Sequence, residues 1–353
     1  MGKTFRMGEL FCGPGGIACG ASMATSRDGE FKITHAWASD YDEDTCATYI
    51  RNITNGDGTH VYCKDVRELD IKALGEIDAF AYGFPCNSFS TVGEHEGLNN
   101  EKFGQLYWFG IEVLRYYQPE WFMAENVSGL KSAGAGNHFK QILKDMEESG
   151  YVLTTHMYKF EEYGVPQTRH RIIVIGIRKD LDEQGIKFHV PSPEPYSKVD
   201  NTAGKALSDI PTDATNNEIR ILNKKVVERL SYIKPGQNVW NADMPEELRI
   251  KTKTKISQIY RKLDPSKPSY TVTAAGGGGT FMYHWNDNRE LTNRERARIQ
   301  TFPDTFTFEG KYSSVRRQIG MAVPPEGVKI IFNAVLDTFA KIEYPWIEAS
   351  ISD

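Results

Sequence analysis

Cys86 stands in Gly83-Phe84-Pro85-Cys86-Asn87-Ser88-Phe89-Ser90, directly after the apolar run Ile77-Asp78-Ala79-Phe80-Ala81-Tyr82. Such a run reads as a buried strand, and Gly-Phe-Pro ends it in a stiff turn. The thiol therefore falls at the carboxyl edge of a strand, where open α/β sheets bind ligands. Ionised, it is a nucleophile for covalent catalysis; a buried, inert thiol is the plainer reading of any single cysteine.

A second set of residues suits a cofactor. The first strand runs into Phe11-Cys12-Gly13-Pro14-Gly15-Gly16, a tight turn whose glycines let a ligand approach the backbone at a helix start. Asp40 follows the second strand, where a carboxylate can take both ribose hydroxyls of a nucleoside. Tyr41 beside it can stack on a base. Asp65 follows the third strand and can accept from an exocyclic amine; helix capping is the alternative for both acids. Nothing basic is placed for a pyrophosphate. S-adenosylmethionine therefore fits better than a dinucleotide.

The elements that must position these groups alternate. Strands are expected at Arg6–Phe11, Phe31–Ala38, His60–Cys63, 77–82, Glu120–Ala124, Val152–Tyr158 and Arg171–Arg178, with helices at Ile17–Thr25, Glu43–Ile53, Leu106–Tyr117 and Phe139–Ser149. This βα rhythm implies an α/β protein with a mostly parallel sheet covered on both faces. The rhythm stops near residue 185, Pro191-Ser192-Pro193-Glu194-Pro195 reads as a linker, and a less regular domain follows. A capped basic helix is expected over 291–301, and Val328–Ile342 is an amphipathic helix able to return to the first domain. No apolar run reaches the length of a membrane span, and the N-terminus lacks a signal-peptide pattern. Five cysteines with no Cys-x-x-Cys pair point to a reducing, intracellular setting without a structural zinc or metal centre.

In order along the chain come Phe11–Gly16, Asp40, Asp65, Gly83-Phe84-Pro85-Cys86, Glu125-Asn126-Val127, Gln167-Thr168-Arg169-His170-Arg171, Arg289 through Pro303, and Gln318-Ile319-Gly320-Met321-Ala322-Val323-Pro324-Pro325. In these segments the chain resembles the cytosine-C5 DNA methyltransferases over residues 5 to about 340. The resemblance implies a Rossmann-like sheet binding S-adenosylmethionine and a smaller, irregular target-recognition domain. The expected division is 1–190 with 310–353 for catalysis, and 191–309 for recognition and hinge. Cys86 is then the thiolate that adds to carbon 6 of cytosine. Glu125 holds N3 and the exocyclic amine, and Arg169 and Arg171, two residues apart on one strand face, lie near the base's O2, the thiolate and Glu125. Asn126 shapes the turn behind Cys86.

Phe11, Gly13, Gly15, Gly16, Asp40, Tyr41, Asp65, Phe84, Leu106 and Met321 are expected at the cofactor. The segment Asn87–Gly104 resembles the family's closing loop, with Asn87, Ser90 and Val92 meeting a base flipped out of the duplex. Two departures stand out: Phe103 replaces a common basic residue, and Met321 stands where the family has asparagine, whose amide hydrogen bonds a thioether cannot reproduce.

The net charge of −5 conceals a gradient: residues 251–300 hold ten basic and four acidic side chains. Lys251, Lys253, Lys255, Arg261 and Lys262 are spaced for phosphates, while Gly277 and Gly278 allow backbone approach to a groove; a solvated, solubilising face is the alternative. The expected activity is methylation of a specific duplex DNA by a monomeric, cytoplasmic, nucleoid-associated enzyme of prokaryotic or phage type, with a cognate restriction endonuclease as its counterpart. A transfer-RNA cytosine methyltransferase and a catalytically idle DNA-binding relative are the rival readings.

Overall fold

The structure is a computed structural model that describes residues 2–84, 106–127, 129, 137–252 and 254–351. They form two compact units. The first contains residues 1–159, 170–195 and 325–353. Its strands are β1 (Thr4–Leu10), β2 (Lys32–Asp40), β3 (Val61–Cys63), β4 (Ala79–Tyr82), β5 (Trp121–Val127), β6 (Tyr151–Lys159) and β7 (His170–Arg178). They build one sheet in the order β3-β2-β1-β4-β5-β7-β6. β1 to β5 pair in parallel, whereas β7 runs antiparallel to both β5 and β6. The helices are α1 (Gly16–Met23), α2 (Glu43–Asn52), α3 (Leu106–Tyr117), α4 (Asn137–Glu148) and α5 (Lys179–Glu183).

The apolar run at 79–82 is buried at every position, as a central parallel strand with both faces covered requires. Phe80 and Tyr82 point to the cluster that α3 and α4 fill with Ile111, Leu114, Ile142 and Met146. Strands begin and end within a few residues of their expected bounds. β2 runs two residues further than expected, so Asp40 is its last residue.

The second unit comprises residues 160–169 and 196–324. It holds α6 (Ala203–Ala206), α7 (Lys224–Ser231), α8 (Asn293–Ile299) and α9 (Tyr312–Met321), with α7 packed in a core of Leu230, Ile233, Val239, Leu248 and Tyr283. The chain then re-enters the first unit with α10 (Pro325–Ala340), where Phe332 meets Trp121 at 5.2 Å between ring centroids. Two short strands, β8 (Val190–Pro191) and β9 (Trp346–Ile347), complete that unit. The stretch Tyr312–Ala340 does reach the length and hydropathy of a membrane span, contrary to the sequence expectation. Most of its apolar window is buried, as in a core helix.

Residues 160–169 join the second unit because Arg169 fastens them there. Its guanidinium is buried and donates to the carbonyls of Val272 at 3.1 Å, Gly320 at 3.2 Å and Ala322 at 2.8 Å. Gln167 accepts from the Val272 N–H at 2.8 Å and donates to Gln300 Oε1 at 2.7 Å, and Gln300 donates in turn to the Ile319 and Ala322 carbonyls. Backbone passes so close that a Cβ on Gly320 would sit 2.2 Å from Ala274 N. Buried carbonyls need donors, and one arginine supplies three. Arg169→Met therefore costs about 3 kcal/mol of stability by stranding the Val272 and Gly320 carbonyls, while that of Ala322 keeps Gln300. Urea unfolding of the pure variant, read as a lowered midpoint, checks this.

Candidate active site

At the carboxyl edge of β1 the chain turns through Phe11, Gly13 and Gly15 with φ of 55°, 55° and 95°. Such left-handed angles suit glycine and strain Phe11. Gly15 is the N-cap of α1 and caps it without a side-chain hydrogen bond. Asp40 holds this turn: its Oδ2 accepts from the Gly13 N–H at 3.0 Å and its Oδ1 from the Asp42 N–H at 3.1 Å. Burial raises its pKa, while the bonds from Asp42 and Gly13 oppose the shift. Asp42, not Asp40, caps α2 by accepting from Thr45 N–H at 3.0 Å. A carboxylate has about four acceptor positions, so two N–H bonds leave Asp40 capacity for two hydroxyls. Tyr41 next to it is exposed.

Asp65 accepts from the Arg67 N–H and pairs with the Arg67 guanidinium. That hydrogen-bonded arginine lowers its pKa to about 2. Arg67 was absent from the sequence reading, although an acid two residues before an arginine is a common local pair. Phe84 and Leu106 are buried in the α3-side cluster, with Phe84 against Tyr82 and Tyr107. Gly16 is buried at the first position of α1. Met321 ends α9 in the second unit with its side chain half exposed, while the carbonyls on either side of it accept from Arg169.

Glu125 and Arg171 face each other across β5 and β7. Arg171 pairs with Val127 in the antiparallel register, and its Nε reaches Glu125 Oε1 at 2.9 Å. Both side chains are largely enclosed, and burial lowers the arginine's pKa against the pull of Glu125. A Cβ on Gly83 would lie 3.2 Å from Glu125 Oε2, so glycine there makes room for the carboxylate. Asn126 is buried and donates to the Phe84 carbonyl at 3.1 Å, tying β5 to the turn after β4. Cys86, Asn87, Ser90, Val92 and Lys253 lie outside the described residues, as does the expected closing loop 87–104.

Two expectations are corrected. Arg169 does not share a face with Arg171: β7 begins at His170, and the Arg169 guanidinium is spent on carbonyls of the second unit. Lys262 is no phosphate ligand, because its ammonium is buried and donates to Asn288 Oδ1 at 2.9 Å. Arg289, Arg294, Arg296 and Arg298 are likewise occupied, by Glu295, by the Pro303 and Phe306 carbonyls, by the Leu291 carbonyl and by Asp304. The expected capped helix is α8, with Thr292 and Glu295 forming a capping box. Of the remaining basic residues, Lys251 and Lys255 are exposed, and the Arg261 guanidinium lies 4.6 Å over the Tyr270 ring. Gly277 and Gly278 have open space where a side chain would be.

Glu9, on β1, also escaped the sequence reading, though an acid inside an apolar strand was a visible signal. It is fully buried, accepts from the Tyr49 hydroxyl at 3.2 Å, and its Oε1 has no hydrogen-bond partner among the described residues. Desolvation raises its pKa to about 8, opposed by Tyr49 and reinforced by Asp40.

A mostly parallel sheet with a glycine turn and strand-end acids, beside an enclosed Glu-Arg pair, is a doubly wound α/β arrangement. A profile of the C-5 cytosine-specific DNA methylase family matches residues 5–337. The type II methyltransferase M.BbvI of Brevibacillus brevis is 56% identical, covering 98% of this chain and 94% of its own. M.NgoFVII of Neisseria gonorrhoeae is 37% identical over 94% and 86%. The solved methyltransferase EhMeth of Entamoeba histolytica shares the fold, with a TM-score of 0.69 at 15% identity over 96% and 99%. The chain belongs to the C-5 cytosine-specific DNA methylase family and is a DNA (cytosine-5-)-methyltransferase.

A carboxyl whose folded pKa is raised favours folding most below its unfolded value, near 4.5, and that advantage is lost as pH rises toward about 8. Glu9 thus makes the protein lose about 1 kcal/mol per pH unit across that window. Glu9→Gln, which mimics the neutral acid, flattens the decline. Thermal unfolding of both proteins from pH 5 to 9 reads the difference, and parallel curves refute it.

Proposed function

We propose that this enzyme methylates cytosine in a defined duplex DNA sequence with S-adenosylmethionine, through a covalent bond from Cys86 to carbon 6 of a flipped base. The observation that carries the proposal is the Glu125–Arg171 pair at 2.9 Å, packed against Gly83 three residues before Cys86. The cofactor, when bound, supplies an electrophilic methyl group. Phe11, Gly13, Gly15 and Gly16 would line its site, Asp40 would take the ribose hydroxyls, and Tyr41 and Asp65 would meet the adenine. The fit rests on the open space above Gly13, the spare acceptor capacity of Asp40 and the absence of any cation from the turn.

Cys86 adds to carbon 6, and electrons move through the ring toward N3, making carbon 5 enamine-like. Glu125 holds N3 and the exocyclic amine, and Arg171 keeps the Glu125 carboxyl oriented while offering its remaining N–H groups to the base's O2. Asn126 bonds the carbonyl of Phe84, two residues before the thiol in sequence. After methyl transfer, loss of the carbon-5 proton expels Cys86. Lys251, Lys255 and Arg261 meet phosphates in the recognition unit, and side chains around Gly277 and Gly278 approach the groove. The enzyme acts as a cytoplasmic monomer beside a cognate restriction endonuclease, in keeping with the type II naming of its relatives.

DNA carrying 5-fluorocytosine at the target site becomes trapped as a denaturation-resistant adduct, because fluorine blocks the release step. Cys86→Ser abolishes the adduct; an adduct that survives the substitution removes Cys86 from the mechanism. Base-resolution sequencing of DNA co-expressed with the protein supplies the target for that assay. DNA affinity falls with salt, with a slope of about 0.9 per phosphate contacted. Lys251→Ala with Lys255→Ala reduces the slope by about two, measured by fluorescence anisotropy between 50 and 200 mM salt; an unchanged slope moves the phosphate contacts elsewhere.

A further inference from the structure

Cys12, Cys19, Cys46 and Cys63 are free thiols, and two of them meet. Cys46 on α2 is buried, and its thiol donates to the Asp40 carbonyl at 3.4 Å. Burial, and after it the neighbouring Cys63 thiol, raises its pKa. Strand register explains the approach. Cys63 ends β3 and pairs with Asp40 of β2. It alternates with Val61, which packs against the cluster containing Tyr49 of α2, so the pleat turns Cys63 toward the same helix. The Lys64 N–H donates to the same Asp40 carbonyl at 3.0 Å. Two thiols thus flank the residue whose carboxylate holds the glycine turn, and Cys63 is exposed while Cys46 is enclosed.

We propose that Cys46 and Cys63 are a dithiol modification site whose oxidation to a disulfide weakens cofactor binding through Asp40. The oxidant is a peroxide. The exposed Cys63 sulfur attacks one peroxide oxygen, the O–O bond breaks, and one water leaves, giving a sulfenic acid. The Cys46 sulfur then displaces that hydroxyl. An S–S bond forms, and the Cys46 proton departs with the hydroxyl as a second water. Two thiols and one hydrogen peroxide become one disulfide and two waters. Burial holds the Cys46 thiol well above its ordinary pKa, in keeping with Cys63 reacting first. The disulfide removes the S–H donor to the Asp40 carbonyl and draws α2 toward β3, shifting the backbone on which the Gly13 and Asp42 bonds depend. This consequence rests on the reading of Asp40 as the ribose-holding acid.

The test uses the full-length protein, freed of reductant and exposed to hydrogen peroxide. Peptide mapping is expected to find a Cys46–Cys63 linkage that dithiothreitol reverses. Calorimetry with S-adenosylhomocysteine is expected to show about fivefold weaker binding, the worth of one hydrogen bond, restored by dithiothreitol. Cys63→Ser is expected to bind as the reduced protein does and to keep that affinity in peroxide. Absence of the linkage overturns the proposal, and so does a linkage that leaves affinity unchanged. Reduced protein that fails to bind S-adenosylhomocysteine overturns the cofactor reading instead, while the peptide map still decides the dithiol.

Discussion

The ion pair between Arg171 and Glu125 exists because β7 runs against β5. A parallel seventh strand would carry Arg171 to the opposite end of the sheet; the antiparallel register sets it against Val127, within reach of the last acid of β5. Removing two charges from water is costly, and a pair of this kind often contributes little to stability. Its value is positional. A guanidinium stays charged when buried, so it can hold the Glu125 carboxyl in one orientation. The bare Cα of Gly83 and the buried amide of Asn126 complete the arrangement, bringing three strand ends to one edge.

Positive charge in this protein does two kinds of work. Between residues 251 and 300 the sequence carries ten basic side chains, an apparent footprint for a polyanion. The arginines of 289–298 and the ammonium of Lys262 instead satisfy carbonyls, acids and an amide inside the second unit. That unit has little regular secondary structure, so many of its carbonyls lack a ladder partner. Arginine, with five donors in a rigid fork, is suited to serve several of them at once. The lysines left on the surface are a smaller set than composition implies.

The catalytic sheet was legible because its strands are apolar runs of ordinary length, ended by glycine, proline or an acid, and because pattern alone separates them from helices. The placement of Glu125, Arg171 and Asp40 was legible for the same reason: each lies near a strand end, where position along the chain translates directly into position at the edge. Arg169 shows where this stops. Alternation with Arg171 implies a common face, but only if both residues are in the strand, and β7 begins between them. Lys262 was misread because burial of a lysine depends on its neighbours in three dimensions, here Asn288. Glu9 and its link to Tyr49 likewise depend on the packing of α2 over β1.

The Arg169 clamp also sets the terms on which the second unit could be exchanged between relatives. A chimera cut at the proline-rich segment 191–195 would leave residues 160–169 with the recipient and their three carbonyl acceptors with the donor. The second unit is discontinuous: it comprises 160–169 together with 196–324. Transplanting both pieces keeps each buried arginine with the carbonyls it evolved to satisfy, and leaves the recipient's own β7 to supply Arg171.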